Sequence, residues 1–116
     1  MELAKIVHDL VAKWEAFYKY KHGQQWLDSA DSVAANVAEG YGRYFYSENR
    51  NFCFYARGSL YESKTWLIKA KERSLVPSEL YSELYDRHEV LAKKLNNYIN
   101  YIESEIIKNP KRAKPT

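Results

Sequence analysis

The chain has 116 residues, of which 46% are hydrophobic and 28% charged, and 18 Lys and Arg face 15 Asp and Glu. This length favours one domain with a single core, and the composition excludes an intrinsically disordered chain. No run of about 18 apolar residues is present, so the sequence predicts no membrane span. The N-terminal segment MELAKIVHDL includes acids and lacks a small-residue cleavage site. We therefore expect no signal peptide and a cytoplasmic location.

The first half of the chain predicts two amphipathic helices. A first helix is predicted from about Glu2 to Lys21, with Gly23 as its stop. Its apolar stripe comprises Leu3, Ile6, Val7, Leu10, Trp14, Phe17 and Tyr18. A second helix is predicted from Leu27 or Asp28 to about Tyr41. Its inner face comprises Ala30, Val33, Ala34, Val37, Ala38 and Tyr41. Gly40 and Gly42 mark its end, where glycine readily adopts the left-handed conformation.

Two longer helices are predicted in the second half. Ser47 is the expected N-cap of the third helix, which continues to about Arg73. Its inner stripe comprises Phe52, Tyr55, Ala56, Ser59, Leu60, Ser63, Trp66, Leu67 and Ala70. Pro77 predicts the start of a fourth helix that ends near Lys108. Its inner seam comprises Leu84, His88, Leu91, Leu95, Tyr98 and Ile102.

These elements predict the fold class and the domain limits. No stretch alternates convincingly with a period of two residues, so no strand is expected. Long amphipathic helices joined by short loops favour an all-α fold, an antiparallel up-and-down four-helix bundle over residues 1–108. Residues 109–116 are basic and almost free of apolar side chains, which predicts a flexible tail.

Residues able to support catalysis are scattered. The three histidines, His8, His22 and His88, lack the spacing of metal ligands on one helical turn. Cys53 and Ser59 have no evident general base nearby in the sequence, and no glycine-rich phosphate loop is present. The sequence therefore predicts no enzyme, no catalytic residue, no metal and no cofactor. Cys53 is expected to be buried, and His88 to be a hydrogen-bonded core residue.

A polar stripe on the second helix lies opposite its apolar face. Ser32, Asn36, Glu39 and Arg43 share this stripe, and the order of Glu39 and Arg43 favours an ion pair within the helix. The stripe is interpreted either as a solvated surface or as a contact strip for another subunit or a ligand.

The third helix carries two further stripes with a seven-residue repeat. One comprises Arg50, Arg57, Lys64 and Lys71, and the other Phe54, Tyr61 and Ile68. These stripes either pack inside the bundle against helix one or four, or form a subunit interface rimmed by cations, or bind a nucleic-acid backbone. The basic residues at the end of the chain, Lys108, Lys111, Arg112 and Lys114, could add phosphate contacts.

Two linked motifs, SVAANVAEGYGR and FYARGSLYES, resemble the small bacterial proteins encoded by intervening sequences in 23S ribosomal RNA genes. The residues that carry this resemblance are Ser32, Val33, Asn36, Val37, Ala38, Glu39, Gly40, Arg43, Phe52, Ala56, Gly58, Ser59, Leu60 and Glu62. The chain departs from the family's pattern at residues 19–31, which lack the usual Arg-Arg-Ala before the serine.

The resemblance implies an assembly and a range of partners. It implies a four-helix bundle in a homopentameric ring, related to the accessory variability protein of diversity-generating retroelements. That relative binds nucleic acid and a reverse transcriptase without catalysis, so RNA or DNA and a reverse transcriptase are the expected partners. The resemblance assigns helix or subunit contacts to Ser32, Asn36, Glu39, Gly40, Arg43, Gly58 and Glu62, and the outward stripe adds Phe54 and Tyr61. The alternative is an interaction protein that does not bind nucleic acid.

Overall fold

The structure, a computed structural model, describes residues 2–116, and this part of the chain is all helical with no strand. It comprises α1 (Glu2–Val11), α2 (Ala16–Tyr18), a π-helical segment (Lys19–Gly23), α3 (Gln24–Tyr41), α4 (Tyr46–Glu72), α5 (Ser78–Lys108) and α6 (Pro110–Ala113). The predicted all-α class is confirmed. The helices form an elongated body of 52 × 23 × 18 Å, in which α4 packs against both α3 and α5.

The core consists of two clusters, and only one of them includes α1. The first cluster joins α1 residues such as Leu3 and Val7 to Trp26, Leu67 and other buried residues. The second consists of residues from α4 and α5, with Val37 of α3 packed against it, and contains none from α1. The short α1 therefore covers one half of the body, and the other half is built from α3, α4 and α5.

The predicted first helix is wrong in its length. It ends at Val11, the chain turns through residues 12–15, and a new helix begins at Ala16 and continues through the π-helical segment into α3. Trp14 stabilises this turn, since its indole Nε1–H donates to the Leu75 carbonyl at 3.0 Å. Phe17, predicted on the inner stripe, is 67% exposed.

The glycines permit close packing rather than left-handed turns. Gly23 lies inside the continuous helix with φ −61°, so it is not a helix stop, and a Cβ there would overlap Val11. A Cβ on Gly40 would lie 2.7 Å from Asn49 Oδ1 and 2.9 Å from Phe52 Cβ of α4. Gly42 has φ −75°, and no described glycine has a positive φ. The predicted left-handed conformation at Gly40 and Gly42 is therefore wrong.

The long helices match their predicted ranges closely, apart from one cap. α4 begins at Tyr46 after Phe45, with no side-chain cap, so the predicted capping role of Ser47 is wrong. Beyond the end of α4, Ser74 is left-handed with φ 57°, and the Leu75 N–H donates to the Ala70 carbonyl at 2.8 Å. These features are typical of a Schellman helix end.

The end of the chain contains more structure than the sequence predicted. α5 ends at Lys108 as expected, but Pro110–Ala113 forms the short helix α6 where a flexible tail was predicted. Ala113 is buried, and Arg112 Nε donates to the Tyr44 carbonyl at 3.1 Å. These contacts fix α6 against the turn between α3 and α4.

Candidate functional site

An open apolar groove runs between α3 and α5, beyond the part of the body that α1 covers. Its volume is about 680 Å³. The residues that line it are Val33, Ala34, Val37, Ala38, Tyr41, Leu60, Leu91, Lys94, Leu95 and Tyr98. All five α3 residues that line it belong to the face that the sequence predicted to be internal, yet Ala38 is exposed and Tyr41 is 78% exposed. An apolar helix face without a neighbour usually marks a contact site.

The outer face of α4 carries a second apolar surface, separate from the groove. Phe54, Tyr61 and Ile68 are 37%, 52% and 38% exposed, as predicted for side chains that point away from the core. At about 100° per residue, they are turned from Leu60, which lines the groove, by roughly 80–120°. Gly58 lies on the same outer face, and no described atom lies within 4 Å of a Cβ placed there. We call Phe54, Gly58, Tyr61 and Ile68 the α4 ridge.

The basic stripe of α4 faces α5, and its two middle cations, Arg57 and Lys64, have polar partners there. Arg57 Nη1 donates to Asn96 Oδ1 at 3.2 Å. Lys64 pairs with Glu89 and lies 4.4 Å from the centre of the Tyr85 ring. The hydrogen bond to Glu89 raises the pKa of Lys64. The structure therefore places these two residues in the contact between α4 and α5.

Lys71 and Arg50, at the two ends of the basic stripe, have surroundings that differ from those of Arg57 and Lys64. Lys71 is exposed, although its ammonium group lies 4.4 Å from the centre of the Tyr81 ring. Arg50 is half-buried, and its Nε atom is buried without an acceptor among the described residues. A buried donor without a partner is costly, so Arg50 is the member of the stripe whose environment is incomplete.

The polar stripe of α3 separates into local and interhelical contacts. Asn36 Nδ2 donates to the Ser32 carbonyl one turn earlier at 2.8 Å. Glu39 and Arg43 form the predicted ion pair at 2.8 Å, and Arg43 also lies 4.9 Å from the centre of the Phe52 ring in α4. Arg43 and Gly40 therefore connect α3 with α4, whereas Ser32 and Asn36 bond within α3 and Glu62 is exposed on α4.

A cation–aromatic cluster occupies the end of the body where α6 meets the turn before α4. The guanidinium carbon of Arg112 lies 4.9 Å from the Tyr44 ring centre and 4.7 Å from that of Tyr46. Tyr98 and Tyr101 of α5 stack nearby, with ring centroids 6.2 Å apart. Lys108, Lys111 and Lys114 are exposed at the same end. The sequence predicted a role for these cations but not their contact with aromatic rings. The run YGRYFY, which includes Tyr44 and Tyr46, was the signal that could have indicated it.

A buried Ser–His pair was missed by the sequence analysis. Ser63 Oγ lies 2.8 Å from His88 Nε2, and Trp26 Nε1 donates to the same Oγ at 3.0 Å. The other ring nitrogen of His88 donates to the Leu84 carbonyl at 2.7 Å, so Nε2 must accept the Ser63 proton. Burial lowers the pKa of His88. Ser63 and His88 are 0% and 1% exposed, so this pair cross-links the core.

Cys53 is fully buried, as predicted, and burial raises the pKa of its thiol. Over residues 2–116, no group of three or more His, Cys, Asp or Glu is arranged to hold a metal ion. None of the helices in that range combines the length and apolar character needed to cross a membrane.

These features define an all-helical chain with an open groove, an outward ridge and a cation–aromatic end. The model of the 23S rRNA-intervening sequence protein family matches residues 1–97. The chain therefore belongs to the 23S rRNA-intervening sequence protein family. A comparison with curated proteins gave no match.

Proposed function

We propose that this chain is a non-enzymatic interaction protein that assembles with copies of itself through the groove between α3 and α5. The observation that carries this proposal is the groove, which is apolar, about 680 Å³ in volume and open to solvent in the single chain. In the proposed architecture, α1 is the short fourth helix of an antiparallel bundle. The surface that α1 leaves uncovered is available to a neighbouring copy.

The proposed occupant of the groove is the α4 ridge of a second copy. Both surfaces are apolar and exposed, and burying them together removes both from water. Gly58 has no side chain, so the backbone of α4 can approach the groove walls closely there. The charges at the edges match, because the groove includes Lys94 and the ridge is bordered by the exposed Glu62.

The proposed contact favours a ring. The groove and the ridge are different surfaces of the same chain, so each copy uses one to hold the previous copy and the other to hold the next. Such head-to-tail contacts form a ring when the rotation between copies closes. Five copies is the number that the family resemblance implies.

The test compares the mass of the assembly in single variants. Ala38→Glu places a carboxylate in the groove at an exposed position, and Tyr61→Glu does so on the ridge. Ile107→Glu is the matched control, since Ile107 is 82% exposed and belongs to neither surface. Light scattering after size exclusion is expected to show an oligomer for the native chain and the control, and a smaller species for the other two. A native chain that is monomeric at all concentrations contradicts the proposal.

Nucleic-acid binding is the second candidate function, and the cation–aromatic cluster favours it. Exposed lysines supply phosphate contacts, while Tyr44 and Tyr101, which are 59% and 54% exposed, offer rings on which bases can stack. The middle of the basic stripe on α4 is occupied by α5, so we assign the contact mainly to the α6 end. A ring would multiply weak contacts from each copy.

The role of accessory protein to a reverse transcriptase in a diversity-generating retroelement rests on the family resemblance. It requires nucleic-acid binding, which can be measured by fluorescence anisotropy with single-stranded RNA and DNA at two ionic strengths. A triple Lys→Gln variant removes the exposed lysines at the α6 end, Lys108, Lys111 and Lys114. The charge-matched control replaces exposed lysines elsewhere, Lys5, Lys13 and Lys21. Equal affinities for both variants, or no binding at low salt, contradict this candidate.

A further inference from the structure

His22 is a buried histidine whose two ring nitrogens both have partners. It lies in the π-helical segment and is 1% exposed. Its Nε2 atom lies 2.9 Å from the Trp66 carbonyl oxygen, and its Nδ1 atom lies 2.9 Å from Arg73 Nη1. Both partners belong to the C-terminal end of α4. One imidazole therefore joins the π-helical segment to that end of α4 through two hydrogen bonds.

The two partners determine the protonation state of the ring. A carbonyl oxygen only accepts a hydrogen bond, so Nε2 must carry the proton that is donated to Trp66. A guanidinium group only donates, so Nδ1 must present its lone pair to Arg73. His22 is thus neutral in this arrangement. A second proton would have to be placed on Nδ1, where it would face the guanidinium group.

We propose that His22 and Arg73 form an acid-released latch between the π-helical segment and the end of α4. At neutral pH the Nδ1 lone pair holds the guanidinium group. Protonation removes that lone pair and places two positive charges against each other, so Arg73, which is exposed, moves into solvent. The bond from Trp14 to the Leu75 carbonyl lies at the same end of the body and is expected to loosen with it.

Apart from the Trp66 carbonyl, the surroundings of the ring oppose a positive charge on His22. The charged groups that face His22 are Arg73 and Lys69, both from the end of α4. The other groups packed on the ring are the uncharged indoles of Trp14, Trp26 and Trp66. Burial lowers the pKa of His22, the Trp66 carbonyl raises it, and the two cations lower it further.

The sign of the pH dependence follows from this lowered pKa. In the unfolded chain, His22 is protonated once the pH falls below the ordinary pKa of histidine. In the folded chain, the same ring is protonated only at a lower pH. The latch is therefore fully closed above that ordinary value, and stability declines as the pH falls below it. The π-helical segment is a suitable place for such a device, because π-helical turns recur at functional sites.

Histidine-selective ¹H–¹⁵N NMR on the full chain, titrated from pH 8 to pH 5, tests the latch. At pH 8 we expect His22 Nδ1 to be unprotonated and Nε2 protonated. Arg73→Gln keeps a hydrogen-bond donor but removes the charge, so the titration midpoint of His22 should rise. Arg73→Lys retains the charge and should leave the midpoint near that of the native chain.

A second signal separates the latch from general unfolding. The indole N–H resonance of Trp14 should shift with the His22 midpoint, at a pH where circular dichroism still shows a folded chain. The proposal is overturned by a proton on His22 Nδ1 at pH 8, by an unchanged midpoint in Arg73→Gln, or by a Trp14 signal that moves only with global unfolding.

Discussion

Replacing Ser63 by Ala tests whether the buried Ser–His pair stabilises the fold. The Ser63 hydroxyl accepts a hydrogen bond from the Trp26 indole N–H and donates one to His88. All three side chains are 0–1% exposed. Removing one oxygen therefore leaves one donor and one acceptor in the core without a partner. At about 1–3 kcal/mol for each of these two groups, the expected loss is about 2–6 kcal/mol in the free energy of unfolding.

Urea unfolding followed by circular dichroism measures this loss. Ser82→Ala is the matched control, because Ser82 is an exposed serine on α5. We expect the control to change the free energy of unfolding by less than about 0.5 kcal/mol. If Ser63→Ala unfolds at the same urea concentration as the control, the hydrogen bonds of Ser63 with Trp26 and His88 do not stabilise the fold, and the prediction is refuted.

Two further substitutions test local geometry by the same unfolding measurement. Gly40→Ala should lower the free energy of unfolding by about 1–2 kcal/mol, because its Cβ would lie 3.0 Å from the Asn49 backbone oxygen and 2.9 Å from Phe52 Cβ. Gly42→Ala is the control and should lower it by nothing, because its Cβ would meet no atom closer than 3.6 Å. An equal loss in both would refute the close approach of α3 and α4. Ser74→Gly should raise the free energy of unfolding by up to about 1 kcal/mol, because φ 57° strains serine but not glycine. A lower free energy of unfolding would contradict a strained backbone at Ser74.

The helices that could be predicted best are those whose apolar stripes pack against another long helix. The seam of α5 is an example, since Leu84, His88 and Ile102 are all buried as expected. α5 also ends at the predicted residue. Here the local pattern and the tertiary packing agree, so the sequence alone was sufficient to place both the helix and its inner face.

The break in the first predicted helix could not be found from local signals. Residues 12–15 contain no glycine or proline, and the apolar stripe continues through Trp14 to Tyr18. The turn is stabilised by contacts with residues far along the chain, including the bond from Trp14 to Leu75. For the same reason Gly23 was interpreted as a stop, although its actual role is to make room for Val11.

The candidate site was predicted in part. The outward direction of Phe54, Tyr61 and Ile68 followed from helical geometry and is confirmed. The surroundings of the basic stripe could not be predicted, because they depend on which helix lies beside α4. The Ser63–His88 bond was missed since its partners are 25 residues apart on different helices and share no sequence motif.

A mixing experiment tests the head-to-tail assembly most directly. Ala38→Glu blocks the groove and leaves the ridge intact, whereas Tyr61→Glu blocks the ridge and leaves the groove intact. Native mass spectrometry of each variant alone should show monomers. An equimolar mixture should show a one-to-one dimer that grows no further, because one groove and one ridge remain available to each other. A mixture that stays monomeric, or an assembly that persists in either variant alone, would contradict the account.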